Sequence, residues 1–171
     1  GRIVTSLNHF PGHGARRRGS HAGFTDVPAA ADPDAELLPY RVLIKEGLAD
    51  SVMTAHVFNK GLHPWDPATL SRYPVNRILR NRFGYRGVIV SDDLLMGAIV
   101  KHYGLEEAAA KALNAGVDVL LISGNTPKAE VYGAERVVLA INRAVTTGLL
   151  SRKRVLDAIA HVDTLRARFP R

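Results

Sequence analysis

The chain has 171 residues, of which 46% are hydrophobic and 23% charged, with a formal net charge of +7 and no cysteine. This balance suits one globular domain; it excludes a disulfide framework and a thiolate metal site, and no apolar run approaches the ~20 residues of a membrane-spanning helix. The positive excess gathers in Arg16-Arg17-Arg18 and in a late helical pattern holding Arg152, Lys153, Arg154, Arg166 and Arg168, with Arg171 beyond it. The late set reads as a solvated helix face. No reader motif accompanies either group, so neither nucleic acid nor membrane is expected as a partner.

Along the chain, the apolar run Ile3 to Leu7 predicts a first strand, followed by Asn8-His9-Phe10-Pro11-Gly12-His13-Gly14 and a long loop to residue 33. Ala35 to Leu48 carries apolar residues at helical spacing. Ser51 to Ala55 predicts a second strand, again followed by a long loop, 56 to 71. Pro74 to Phe83 predicts a helix with proline in its first turn and Gly84 as its stop. The β-branched run Val88 to Ser91 predicts a third strand, Leu105 to Ala115 a helix closed by Gly116, and Val117 to Ser123 a fourth strand. Helices over Ala129 to Thr147 and Ser151 to Arg168 complete the order, with Ser151 as the N-cap of the last. Strand–helix alternation demands parallel strands joined by right-handed crossovers. Both long loops follow strand C-termini, the end at which α/β folds gather their chemistry.

The third strand runs directly into Asp92-Asp93. An unpaired carboxylate is costly to bury, so adjacent aspartates at a strand mouth point to a polar site. Asp92 has the position of a carboxylate that stays ionised and attacks; Asp93 is expected to cap the next helix or bond a neighbouring loop. His9, His13 and His21 fit a metal-ligand spacing only loosely, because proline and glycine separate the first two, and no metal is expected.

The runs His9-Phe10-Pro11-Gly12-His13-Gly14, Ser20-His21, Val52-Met53-Thr54-Ala55-His56-Val57 and Gly87-Val88-Ile89-Val90-Ser91-Asp92-Asp93-Leu94 resemble glycoside hydrolase family 3. More narrowly, they are similar to its bacterial β-N-acetylhexosaminidase (β-N-acetylglucosaminidase) branch, and Ala115 to Leu121 and Leu150-Ser151-Arg152 extend the likeness over nearly the whole chain. The resemblance implies an α/β fold, a partial (β/α)8 TIM-type barrel of about four parallel strands with alternating helices. Residues 1–171 would then be the C-terminal half of the catalytic domain, Gly1 not being a natural start.

The implied activity is retaining hydrolysis of terminal β-linked N-acetylglucosamine, of the peptidoglycan-fragment recycling type, without cofactor. Asp92 would be the nucleophile and His21 the loop acid/base, with Asn8, His9 and His56 holding sugar hydroxyls. Two departures stand out. Gly19 occupies the place of the aspartate that would orient His21, and Asn8 the place of a lysine. Arg16 to Arg18 beside His21 would also tolerate phosphate as the attacking group. The competing class is a non-catalytic half-barrel that binds sugar weakly or assembles with a partner, and an open half-barrel favours self-association. A cytoplasmic location is expected, the cysteine-free composition fitting a reducing compartment.

Overall fold

The computed structural model describes residues 3–12, 25–26, 33–58, 65–123 and 134–169. In chain order the elements are β1 (Ser6–Phe10), β2 (Thr25–Asp26), α1 (Pro33–Lys45), β3 (Ser51–Thr54) and β4 (Val57–Phe58). A 3-10 turn (Ala68–Leu70), a π-helix (Tyr73–Arg82), β5 (Val88–Val90), α2 (Gly97–Val100), α3 (Leu105–Ala115), α4 (Ala134–Thr146) and α5 (Arg152–Ala167) follow. β1, β3 and β5 form a parallel three-stranded sheet in that order, and β2 pairs with β4 in a second small parallel ladder. That ladder sets Thr25 opposite Val57 and Asp26 opposite Phe58, so the two long loops of the sequence meet at the C-terminal mouth of the sheet.

The core lies between the sheet and its helices. Phe10, Val52 and Ile89 of the three strands pack with Leu37 and Tyr40 of α1, with Val75, Ile78 and Leu79 of the π-helix, and with the small Ala108, Ala109 and Ala112 face of α3. The Phe10 and Tyr40 rings meet edge to face at 5.1 Å. α1 stops at Lys45, short of the expected Leu48, because Gly47 takes a φ of +71° and the Leu48 N–H turns back to the Leu43 carbonyl at 2.9 Å.

The helix expected from Pro74 to Phe83 is present over Tyr73–Arg82 but is wound as a π-helix, which side-chain periodicity alone does not distinguish over so short a run. It closes with the Phe83 N–H on the Ile78 carbonyl at 2.9 Å.

Two strand expectations are corrected. The first strand is Ser6–Phe10 rather than Ile3 to Leu7: pairing with β3 begins at Ser6 opposite Ser51, and the Thr5 N–H is taken by the Asp50 carboxylate at 3.0 Å. Ile3 and Val4 are left exposed. The fourth, Val117 to Ser123, runs alongside β5 but joins it through a single bridge, Val90 to Val119. Side chains interrupt the ladder: the Ile89 N–H goes to Asp118 Oδ2 at 2.9 Å, and the Leu121 N–H to Ser91 Oγ at 2.9 Å.

The basic face of the last helix is not wholly solvated as expected. Ser151 caps it as expected, accepting the Arg154 N–H at 3.2 Å. Two of its basic residues, however, reach under the N-terminal ends of the strands. Arg154 donates to Asp118 Oδ1 at 2.6 Å, and Arg168, in the turn after α5, pairs with Asp50 at 2.6 Å. The Thr5 N–H and Arg168 hold the Asp50 carboxyl below the usual carboxylate range, against the opposing effect of burial.

Asp118 also accepts from Arg80 of the π-helix and lies 3.0 Å from His161 Nδ1, with its own side chain fully buried. Arg80 spends a second nitrogen on the Tyr85 and Gly87 carbonyls at 3.1 and 2.7 Å. Removing the carboxylate leaves two guanidinium groups without their counter-charge. Asp118→Ala is therefore expected to lower unfolding free energy by about 3–5 kcal/mol in urea titration, and a loss below about 1 kcal/mol would contradict this role.

Candidate active site

β5 delivers the chain to the C-terminal mouth at Ser91-Asp92-Asp93. Ser91 is fully buried and locked on both sides, its N–H on the Val119 carbonyl at 2.9 Å and its hydroxyl under the Leu121 N–H. The two aspartates that follow then diverge. Asp93 Oδ1 accepts the Leu95 N–H and the Ser123 N–H, each at 3.0 Å, and Oδ2 accepts the Ser123 hydroxyl at 2.5 Å. Both of its oxygens are spent on the neighbouring strand-end segment, which is the loop-bonding alternative expected of it. Asp92 is half-buried, and among the described residues its one hydrogen bond is from the Asp93 N–H, at 2.8 Å to Oδ1.

His56, just beyond β3, is fully buried behind this turn. Its Nε2 lies 2.9 Å from the Asp93 carbonyl and its Nδ1 2.9 Å from Thr69 Oγ1. Burial lowers its pKa from the ordinary 6.5; the Asp93 carbonyl and the Asp92 and Asp93 charges pull it back up, and His9 opposes them. Asp92, Asp93 and His9 thus each lie within electrostatic reach of His56. His9 is half-buried on β1. Asn8 differs: it is exposed, accepts from the Ser6 hydroxyl at 2.9 Å, and lines a cleft of about 640 Å³ with Glu36 and Tyr40 on the α1 side. The peptide bonds Asn8–His9 and Phe10–Pro11 are cis.

His21, His13, Arg16 to Arg18 and Gly19 lie outside the described residues. Among the described residues no group of three or more His, Asp or Glu side chains is arranged to hold a metal ion. Thr69 is the site neighbour that sequence reasoning missed. It sits in a 3-10 turn within the second long loop, and nothing in Pro67-Ala68-Thr69-Leu70 marks it as more than a turn residue.

Residues 1–165 match the model of the glycosyl hydrolase family 3 N terminal domain. The chain belongs to this family. Among curated relatives it is similar to beta-hexosaminidase A of Pseudoalteromonas piscicida, 29% identical over 98% of this chain and 30% of that protein. It is 39% identical to the beta-hexosaminidase of Tolumonas auensis over 68% of this chain and 35% of that protein. Of solved structures, the family 3 beta-N-acetylglucosaminidase from Paenibacillus sp. str. FPU-7 superposes with a TM-score of 0.87 at 37% identity, over 97% of this chain and 31% of that one. The beta-N-acetylhexosaminidase from Beutenbergia cavernae does so with a TM-score of 0.80 at 28% identity, over 95% of this chain and 46% of that one. The family 3 chain thus spans about a third of the length of these curated relatives. Its parallel sheet and flanking helices are part of a TIM-type barrel, and Asp92 stands on the C-terminal face where such barrels carry their active sites.

The buried state of His56 has a pH consequence. A histidine whose folded pKa is depressed stays neutral where the unfolded chain takes up a proton. Its contribution to stability is complete above about pH 6.5 and is lost as pH falls below that value. The groups facing it are Asp92, Asp93 and His9, with the hydroxyl of Thr69. Urea midpoints measured between about pH 7.5 and pH 5 are expected to fall more steeply for the parent than for His56→Asn, and parallel slopes would contradict the assignment.

Proposed function

We propose that this family 3 chain carries the nucleophile of a retaining glycosidase that removes terminal β-linked N-acetylglucosamine, with peptidoglycan fragments as the substrate class. The reading takes residues 1–171 as the C-terminal half of the catalytic domain. One observation carries it: of two adjacent aspartates at the barrel mouth, Asp93 is consumed by Ser123 and Leu95, while Asp92 keeps a half-exposed carboxylate. In the first step an Asp92 oxygen attacks the anomeric carbon, the bond to the leaving oxygen breaks, and His21 protonates that oxygen. In the second, His21 takes a proton from water, whose oxygen displaces Asp92 and restores the starting configuration.

The beta-hexosaminidase and beta-N-acetylglucosaminidase relatives support the sugar, and the family resemblance supports His21 in the second role. Gly19 leaves that histidine without the aspartate that would fix its tautomer, so a slower acid/base step follows from the sequence. His9 and Asn8 are the residues proposed to bind sugar hydroxyls, His9 from the mouth and Asn8 from the α1 side; His56, expected to join them, is instead fully buried with both ring nitrogens bonded to protein. A second reading, a non-catalytic unit that associates through its sheet edge, is favoured by the exposed Ile3 and Val4 beside β1, the edge strand of the described sheet.

Assay of the chain with a chromogenic aryl β-N-acetylglucosaminide, with and without phosphate, separates hydrolysis, phosphorolysis and inertness. Asp92→Ala is expected to lower kcat/KM on the order of 10³-fold or more. A 2-fluoro slow substrate is expected to leave a covalent mass increment on the Asp92 peptide of the parent alone. Equal rates for parent and Asp92→Ala would remove Asp92 from the mechanism, and an inert parent would favour the second reading.

A further inference from the structure

Three fully buried polar side chains, Thr54, His56 and Thr69, lie in a row behind the catalytic turn. Thr54 Oγ1 is 2.9 Å from Thr69 Oγ1, which is 2.9 Å from His56 Nδ1, and His56 Nε2 is 2.9 Å from the Asp93 carbonyl. Thr54 Oγ1 also lies 3.4 Å from the Val90 carbonyl. The short contacts join the row to the backbone at the Asp93 carbonyl, in the residue directly after Asp92.

The protons of this row are determined by its acceptors. The Asp93 carbonyl only accepts, so Nε2 must carry a hydrogen. A neutral imidazole has one N–H, so Nδ1 must accept, and Thr69 is the donor within reach. The Thr69 hydroxyl hydrogen then points at Nδ1 rather than at the Ala55 carbonyl 3.0 Å away, which already takes the Thr69 N–H at 3.3 Å. Thr54 in turn donates to Thr69. Each bond runs in one direction, from Thr54 through Thr69 and His56 to the Asp93 carbonyl, and bonds aligned in this way strengthen one another.

We propose that Thr69 and His56 are positioning residues: together they hold the Asp93–Leu94 peptide through the Asp93 carbonyl, while Ser123 holds the Asp93 side chain. Asp92 is thereby aimed at the anomeric carbon without either residue touching sugar. The inference rests on Asp92 acting as the nucleophile. It gives His56 a role through protein contacts, both of its ring nitrogens being engaged by the protein, and it gives Thr69 a role that nothing else in the site suggests.

Thr69→Val keeps the shape of the side chain and removes the donor to Nδ1. It is expected to lower kcat and the rate of glycosyl-enzyme formation about 10- to 100-fold, as a small misplacement of a reacting group does, with KM held within about twofold. Thr69→Ser restores the hydroxyl and is expected to recover most of the rate. Thr54→Val, one bond further out, gives a smaller loss of the same sign and serves where Thr69→Val fails to fold.

A change in KM with kcat preserved, or a Thr69→Ser variant as slow as Thr69→Val, would overturn the proposal. Should the parent be inert, the nucleophile reading fails separately, and NMR of the labelled chain decides the arrangement. The Nε2–H tautomer of His56 and the Asp93 and Leu94 amide resonances are expected to change in Thr69→Val and return in Thr69→Ser. Resonances that stay in place in Thr69→Val would show that the row does not hold this peptide.

Discussion

The buried carboxylate of Asp118 organises the lower half of this molecule. It takes the Ile89 N–H of β5, the guanidinium groups of Arg80 and Arg154, and the His161 ring, so that sheet, π-helix and terminal helix share one counter-charge. A buried ion pair adds little net stability when compared with an apolar replacement, but it fixes geometry strongly, because breaking it strands a charge. Here the geometry fixed is the starting point of β5. The chain leaving β5 three residues later carries Asp92, so the site is built on a strand whose origin is clamped.

A second carboxylate does the corresponding work at the other end. Asp93 joins the end of β5 to Ser123, while Asp118 joins its beginning to the start of the same neighbouring segment. Between these two clamps the backbone ladder reduces to one bridge at Val90 and Val119. Side-chain acceptors have taken over bonds that a regular parallel pair would make with carbonyls. This permits the 117–123 segment to follow β5 without becoming a full strand, and it leaves the mouth shaped by Ser91, Asp93 and Ser123 rather than by sheet pleat alone.

The contrast between Asp92 and Asp93 shows how little residue type says about role. The two are chemically identical neighbours. One has both oxygens bonded to Ser123, thirty residues away in the chain, and the other is half-buried and takes the Asp93 N–H. His56 gives the same lesson in reverse. A histidine at a strand end reads as a hydroxyl-binding group, yet burial and the partners Thr69 and Asp93 make it part of the wall.

Much of the fold was legible in the chain. α3 was bounded by Gly116 and the capped start of α5 by Ser151, because glycine and serine act within one helical turn of the residues that name them. Asp92 could be singled out for a similar reason, since a β-branched run ending in carboxylates is a local pattern. The shift of β1 to Ser6–Phe10, the loss of a full fourth strand, the π-winding of Tyr73–Arg82 and the burial of Arg154 were not legible. Apart from the π-winding, which periodicity over so short a run does not distinguish, each depends on a partner far along the chain: Asp50 for Thr5, Asp118 for Ile89 and Arg154, Ser91 for Leu121. The sequence by itself determined the family, the order of elements and which acidic pair stands at the mouth, because these are carried by adjacent residues. Only the tertiary structure decided which aspartate stays free and which histidine is walled in, because hydrogen-bond saturation and burial are set by neighbours that contiguity in the chain does not reveal.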